Sequence, residues 1–560
     1  MPGRPPTEET HRIEELIAEV EELRRRVAAL EQWSVQAGAS LRSALPSVPS
    51  VLASEKLPDV SSGLLAALGR LLLGVAGAYL LRAITEAGII PPLAGTLAGL
   101  AYAAAWLVSS IRISATNRLA VAMQGVTAAC IFSPLLWEAT VRFHTLAPAG
   151  AAAAVALFVL LGQAFAWQRD HSALAGVTAF AGSATAIALI VATLDPIPFA
   201  IALTAAAAMV EYGAWRDRAL AWRWIIALAA DVCAFLLVYL VTRPQGVPES
   251  YASVPVFAAS ELLIALLVIY VASAALRTLL RGATITWFEF LQITVMAALS
   301  IAAGLRISHG TGNAVTIIGA TCLALGAGCY LAAFTDLTQK PSRNFQAYAT
   351  FALALALTGG VLLFSSGACA VLWALLAMVA IWLGTRGRGL TLEMHGAVYL
   401  VAAASASGLM NGNVASNLGW AVFLCAFASA LSYAVILSLR RQAGTAWTER
   451  VPAALVVALL CWSFLGIATG ILLRAGLDSP TVDTLRTILI ALVAVALAWC
   501  GRRWNLSELI WILFPWMIFG AAKLATEDFQ LGQPASLSLS LLVYGATLIA
   551  LPRLLRANPS

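Results

Sequence analysis

The chain has 560 residues, of which 61% are apolar and 11% charged, with a mean hydropathy of +0.87. Soluble proteins carry about a quarter of their residues as charges, so this composition excludes a soluble enzyme. The formal charge of +6 is unevenly spread: residues 1–62 hold 7 basic and 10 acidic side chains, and the remaining 498 hold 27 and 18. A net-negative head therefore precedes a net-positive apolar body.

Residues 1–10 form a Pro-rich start. Over residues 11–33, Ile13, Val20 and Val27 alternate with Leu16, Leu23 and Leu30 at spacings of three and four. β-branched a positions with Leu at d predict a parallel two-stranded coiled coil, hence a homodimer. Glu19 and Arg26 at g would meet Arg24 and Glu31 at the partner's e positions with opposite charge. The competing reading is one amphipathic helix lying on the body or on the lipid surface. Residues 34–62 read as a Pro/Ser/Ala linker.

From residue 63 to 556 the expectation is an all-α polytopic membrane protein. Eighteen apolar runs are marked, near 63–83, 91–109, 117–137, 147–166, 172–193, 197–213, 220–241, 252–276, 286–306, 313–335, 345–364, 367–384, 395–410, 416–438, 451–474, 484–500, 506–523 and 533–552. Runs of about 20 residues suit a helix crossing a hydrocarbon core of about 30 Å. Basic residues on the two alternate sets of connections divide 19 to 7, the richer set beginning with Arg112 and Arg118 and ending with Arg553 and Arg556. The positive-inside rule makes the richer side cytoplasmic, with both termini and the coiled coil inside a bacterial inner membrane. The spacing predicts nine short-loop hairpins in series, with a basic loop about every 55 residues.

Charges within spans are costly and become functional candidates by default. Asp231 lies at the centre of span 220–241 and Glu261 near mid-depth of span 252–276, so the two acids could share a proton or cation site. The competing reading is that each merely bonds a polar neighbour. Arg70 and Arg82 lie one on each half of the first span, and Glu86 stands four residues after Arg82, on the same helix face. Arg82 and Glu86 read as an ion pair, with Gln124 and Gln292 as polar glue between helices.

The outer connections offer Glu138, Arg142, His144, Asp195, His309, Asp478, Asp483, Arg486, Lys523, Glu527 and Asp528. The eight cysteines lie in apolar runs without a C-x-x-C spacing and read as small packing residues; neither a metal nor a cofactor is expected. Nucleic-acid binding has no support, because topology accounts for the basic residues. Gly95-x-x-x-Gly99 permits close helix approach, and Trp222, Trp224 and Trp504 read as interfacial anchors.

The first span around Leu68-Gly69-Arg70-Leu71-Leu72-Leu73-Gly74, the turn Gly88-Ile89-Ile90-Pro91 and the closing segment Ala521-Ala522-Lys523-Leu524-Ala525-Thr526-Glu527-Asp528-Phe529, behind a coiled coil and linker, resemble the bacterial membrane-protein family known as domain of unknown function 2339. The resemblance implies that Lys523, Asp528, Gly69 and Arg70 match the family's recurring positions. It implies topology and no activity. Three functional readings follow: transport or lipid handling through a polar path at Asp231 and Glu261; an envelope scaffold whose dimeric head recruits a cytoplasmic or envelope protein; and an outer-face enzyme on a lipid-linked substrate using acids such as Glu138, Asp195 and Asp528 with Lys523.

Overall fold

A computed structural model describes Arg26 and residues 59–113, 118–216, 222–308, 312–335, 343–410, 418–439, 450–529 and 534–556. The coiled-coil seam of Ile13, Leu16, Val20, Leu23, Val27 and Leu30 lies outside the described residues, as do residues 34–58 of the linker. Residues Met1–Ala66 and Ala67–Ser560 form two compact units.

Among the described residues from 59 onward there are eighteen α-helices: α1 (Asp59–Glu86), α2 (Pro92–Ser109), α3 (Arg118–Trp137), α4 (Pro148–Arg169), α5 (Ser172–Thr193), α6 (Pro196–Trp215), α7 (Arg223–Val241), α8 (Val256–Ala275), α9 (Trp287–Ile307), α10 (Asn313–Thr335), α11 (Arg343–Leu363), α12 (Ser366–Leu383), α13 (Leu390–Ala406), α14 (Trp420–Leu439), α15 (Val451–Arg474), α16 (Ser479–Arg503), α17 (Ser507–Lys523) and α18 (Pro534–Arg556). Seventeen are long and apolar enough to cross a membrane, and α13, with 17 residues, is the shorter one. The chain is a multi-pass membrane protein. Helices are what such runs must form, since hydrocarbon offers no partner for an unpaired backbone N–H or C=O. Proline stands at the first turns of α2, α4, α6, α15 and α16, where a missing N–H costs no intrahelical bond.

Several expected boundaries shift. Helix α1 begins at Asp59, inside the expected linker, and α13 begins at Leu390 rather than near 395. The connection after α7 runs from 242 to 255, longer than the 242–251 left between the expected runs. Four helices end in π-helical turns: α3 in Glu138–Arg142, α8 in Leu276–Leu280, α12 in Gly384–Arg388 and α17 in Leu524–Asp528. Gly389, at φ 97°, supplies a backbone conformation that L side chains rarely adopt and lets α13 start at once.

Every substantial helix contact joins elements adjacent or next-but-one in the chain, so the body is a serial array. Consecutive helices pack extensively where they join on the basic-loop face, from α2 with α3 through α16 with α17, and only lightly where they join on the opposite face. The unit is therefore eight hairpins closed on the basic face, flanked by α1 and α18, where nine in series were expected. Small residues set this choice. A Cβ on Gly359 of α11 would come within 2.8 Å of the Gly319 carbonyl oxygen of α10, and one on Gly396 of α13 within 3.0 Å of the Ala377 oxygen of α12. Such approaches replace the hydrophobic driving force that lipid removes.

Candidate functional site

Among the described residues three ensembles of charged side chains interrupt the apolar body. The first lies where α1, α2 and α3 meet at the face opposite the basic loops, around a cavity of about 510 Å³. Arg82 Nε donates to Glu86 at 3.0 Å, and its Nη1 reaches Glu138 at the end of α3 at 2.7 Å. Arg142 stands 3.9 Å from the same Glu138 oxygen. The π turn Glu138–Arg142 carries both of these side chains to the mouth. Below them the walls are Val75, Ala78, Gly99, Ile131 and Leu135. From Glu86 to Val75 the helix rise gives a depth of about 16 Å.

A second, apolar groove of about 900 Å³ follows α3 and α5 from Trp222 at the basic face to Trp137 at the opposite one. Both hollows are lined by Cys130 and Pro134 of α3. Pro134 has no N–H, so the Cys130 carbonyl, four residues earlier, loses its usual helical donor on the α3 wall that both hollows share. Cys130 itself is exposed there, and so departs from the packing role expected of the cysteines. Nearby, Thr185 Oγ1 donates to Ser133 Oγ at 2.8 Å.

The second ensemble ties together the basic-face ends of α6 to α9. Glu289 accepts from Arg277 and, at 3.4 Å, from Arg223. Arg223 also approaches Glu211 at 3.7 Å and lies over the Phe288 ring at 4.4 Å. Ser273 Oγ donates to Glu211 at 2.7 Å. Asn344 of α11 pins the intervening connection, accepting from the Ile285 N–H at 2.8 Å and donating to the Ala283 carbonyl at 2.9 Å. Further in, Gln292 Nε2 donates to Asp231 at 2.6 Å. The third ensemble, on the opposite face at α16 and α17, is the Lys523–Asp528 ion pair with Thr487, beside Arg486 and Glu527 paired at 2.8 Å.

The expected Arg82–Glu86 pair is present, and Gln124 accepts from Ser109 at 3.2 Å as inter-helix glue. Asp231 and Glu261 are not brought together. Glu261 shares an exposed face of α8 with Phe257, Ile264 and Val268 and bonds no described residue. It sits five residues from the start of α8, about 8 Å in from the face opposite the basic loops, whereas Asp231 is about 12 Å from the basic face. The two acids thus differ in depth and direction. Arg70 is exposed on α1 and pairs with no described residue.

The outer-face acids and Lys523 do not converge on one pocket. Glu138 belongs to the α1–α3 cavity, Asp528 is sealed against Lys523, and Asp195 stands at the start of α6. Burial there holds the Asp195 carboxyl above the ordinary carboxylate range, partly offset by the Ile197 backbone amide. Among the described residues no group of three or more His, Cys, Asp or Glu side chains is placed to hold a metal.

Sequence reasoning missed Glu211 and Glu289, which end or begin spans and so pass for interfacial charges. The available signal was an acid near the basic-loop end of each of two spans, α6 and α9, with Arg223 and Arg277, which topology alone had explained, near the ends of the two spans between them. Asp231→Asn tests its role: the amide oxygen still accepts from Gln292, and the cost of a charge at mid-span, about 2.5–3.5 kcal/mol, is removed. The thermal midpoint in detergent is expected to hold or rise by a few degrees, and a clear fall would mean that the ionised carboxylate is needed. Comparison of the chain with family models, curated proteins and solved structures gave no match.

Proposed function

We propose that this membrane protein handles lipid, drawing a phospholipid from the leaflet opposite the basic loops and seating its headgroup among Arg82, Glu86, Glu138 and Arg142. The observation that carries this reading is the polarity of the α1–α3 cavity, which has four charged side chains at its mouth and apolar walls beneath. Sites for amphiphiles combine such walls with a few polar groups that fix orientation, in hollows of roughly 300–1,000 Å³. The groove along α3 and α5, which shares Cys130 and Pro134 with the cavity, supplies apolar surface for an acyl chain. Helix α1 supports lateral access, because Leu72, Leu73 and Leu80 leave it exposed and lightly packed. Lipid handling thus moves from the expected Asp231–Glu261 path to the first three helices.

The 19 to 7 division of basic residues supports cytoplasmic termini in a bacterial inner membrane. The heptads of residues 11–33 support a homodimer. The quoted segments of α1 and α17 support kinship with the domain of unknown function 2339 family.

The test uses purified full-length protein, stripped of lipid in detergent and re-exposed to phospholipid. Native mass spectrometry is expected to find one firmly held phospholipid per chain. Ala78→Trp, which places an indole in the cavity, is expected to weaken that binding roughly tenfold, about 1.4 kcal/mol. Its elution profile and thermal midpoint should match wild type. Equal occupancy in both proteins, or none in either, would overturn the reading.

A further inference from the structure

We infer that the cavity selects a zwitterionic phospholipid bearing a primary ammonium, its phosphate on Arg142 and its ammonium on Glu86; this rests on the lipid-handling reading above. The four charges at the mouth are not equally engaged. Arg82 is committed through two nitrogens, to Glu86 at 3.0 Å and to Glu138 at 2.7 Å. Glu138 is thereby neutralised at short range, and Arg142, 60% exposed, stays 3.9 Å away. Among the described residues the Arg142 guanidinium otherwise overlies the Phe143 ring alone, at 5.3 Å. A guanidinium held this loosely can turn to grip phosphate oxygens in a fork, the geometry for which arginine is suited.

Glu86 is the complementary group. Only its Oε1 meets Arg82, and its side chain is 46% exposed, so Oε2 can accept from an incoming donor. The four side chains sum to zero charge. A headgroup with one net negative charge would satisfy Arg142 but face Glu86 and Glu138 without a cation of its own. A zwitterion answers both ends.

The choice of a primary over a quaternary ammonium follows from donors and rings. A primary ammonium offers three N–H groups to a carboxylate, and a quaternary one offers none. Quaternary groups are held instead by aromatic faces. Of the rings at this mouth, Tyr79 carries Arg82 at 5.9 Å, and Phe143, uncovered when Arg142 turns to phosphate, is one face and not a cage of several.

The experiment offers lipid-stripped full-length protein equal amounts of phosphatidylethanolamine, phosphatidylcholine and phosphatidylglycerol with identical acyl chains, read by native mass spectrometry. Wild type is expected to favour the ethanolamine lipid roughly tenfold over each competitor. Glu86→Gln should bring the ethanolamine lipid down to the level of the choline lipid. Arg142→Ala should weaken all three. Equal uptake of the three lipids by wild type, a preference for the glycerol lipid, or an ethanolamine preference that survives Glu86→Gln would overturn the inference. If Ala78→Trp still blocks uptake in those cases, lipid handling stands without this selectivity. If Ala78→Trp has no effect, the underlying reading fails first.

Discussion

Glu289→Ala is expected to be among the most destabilising single substitutions in the body, lowering the thermal midpoint in detergent by roughly 5–10 °C or preventing recovery of folded protein. One oxygen of Glu289 takes Arg223 and Arg277. The other accepts from the Thr286 N–H at 2.8 Å and the Thr286 hydroxyl at 3.0 Å, completing the capping box that starts α9. The alanine variant removes the acid shared by two buried guanidiniums, leaves Arg223 to Glu211 and uncaps a helix. Breaking a buried pair by removing one partner costs about 3–5 kcal/mol, and a lost cap about 1 kcal/mol more. Glu289→Gln keeps the Oε2 contacts and should fall between the two. The decisive comparison is the double variant Glu289→Met with Arg277→Met, which leaves Arg223 balanced by Glu211. It should recover more than half of the loss seen with Glu289→Met alone, and no recovery would show that cap and packing, not charge balance, hold these four helices together.

That network also marks where the sequence stops being legible. The helices were readable because apolar runs of bilayer length admit one backbone solution, and their number follows from counting runs. The Arg82–Glu86 pair was readable because a spacing of four on one helix is a contact. Arg82 with Glu138 is a pairing across 56 positions, and nothing in the spacing of either residue points to the other. Glu211, Arg223, Arg277 and Glu289 each occupy a helix end, where a charge is expected for topological reasons, so their convergence becomes visible only once α6 to α9 are packed. Asp231 and Glu261 were conspicuous for the opposite reason, as charges within apolar runs. A period of 3.6 residues then separates them: Asp231 turns toward Gln292 of α9, while Glu261 falls on the face of Phe257, Ile264 and Val268. The hairpin frame was open to two readings because every helix has a neighbour at each end, and the choice lay in small residues such as Gly319, Gly359 and Gly396.

At the far end of the body, Lys523→Ala is expected to cost more stability than Asp528→Asn, although the two residues form one pair. Their side chains are 1% and 3% exposed, so neither can turn to water when its partner is removed. Without Asp528's charge, the Lys523 ammonium still donates to the Asp483 carbonyl at 2.6 Å and to Thr487 Oγ1 at 3.0 Å. Without Lys523, the Asp528 carboxylate keeps, among the described residues, the Thr487 hydroxyl, which donates to it at 3.0 Å. The anion is thus left with less than the cation, and the loss should approach the upper part of the roughly 3–5 kcal/mol range for a broken buried pair. Because Asp528 closes the π turn that also carries Glu527, the Arg486–Glu527 bond is expected to weaken with it. Replacing both residues at once, Lys523→Met with Asp528→Leu, removes two desolvated charges together, and such exchanges are often neutral or stabilising. The double variant should therefore unfold near the wild-type midpoint while Lys523→Ala unfolds well below it. A double variant as unstable as Lys523→Ala would mean that the pair specifies the turn itself, and that α17 cannot end in its π turn without both charges.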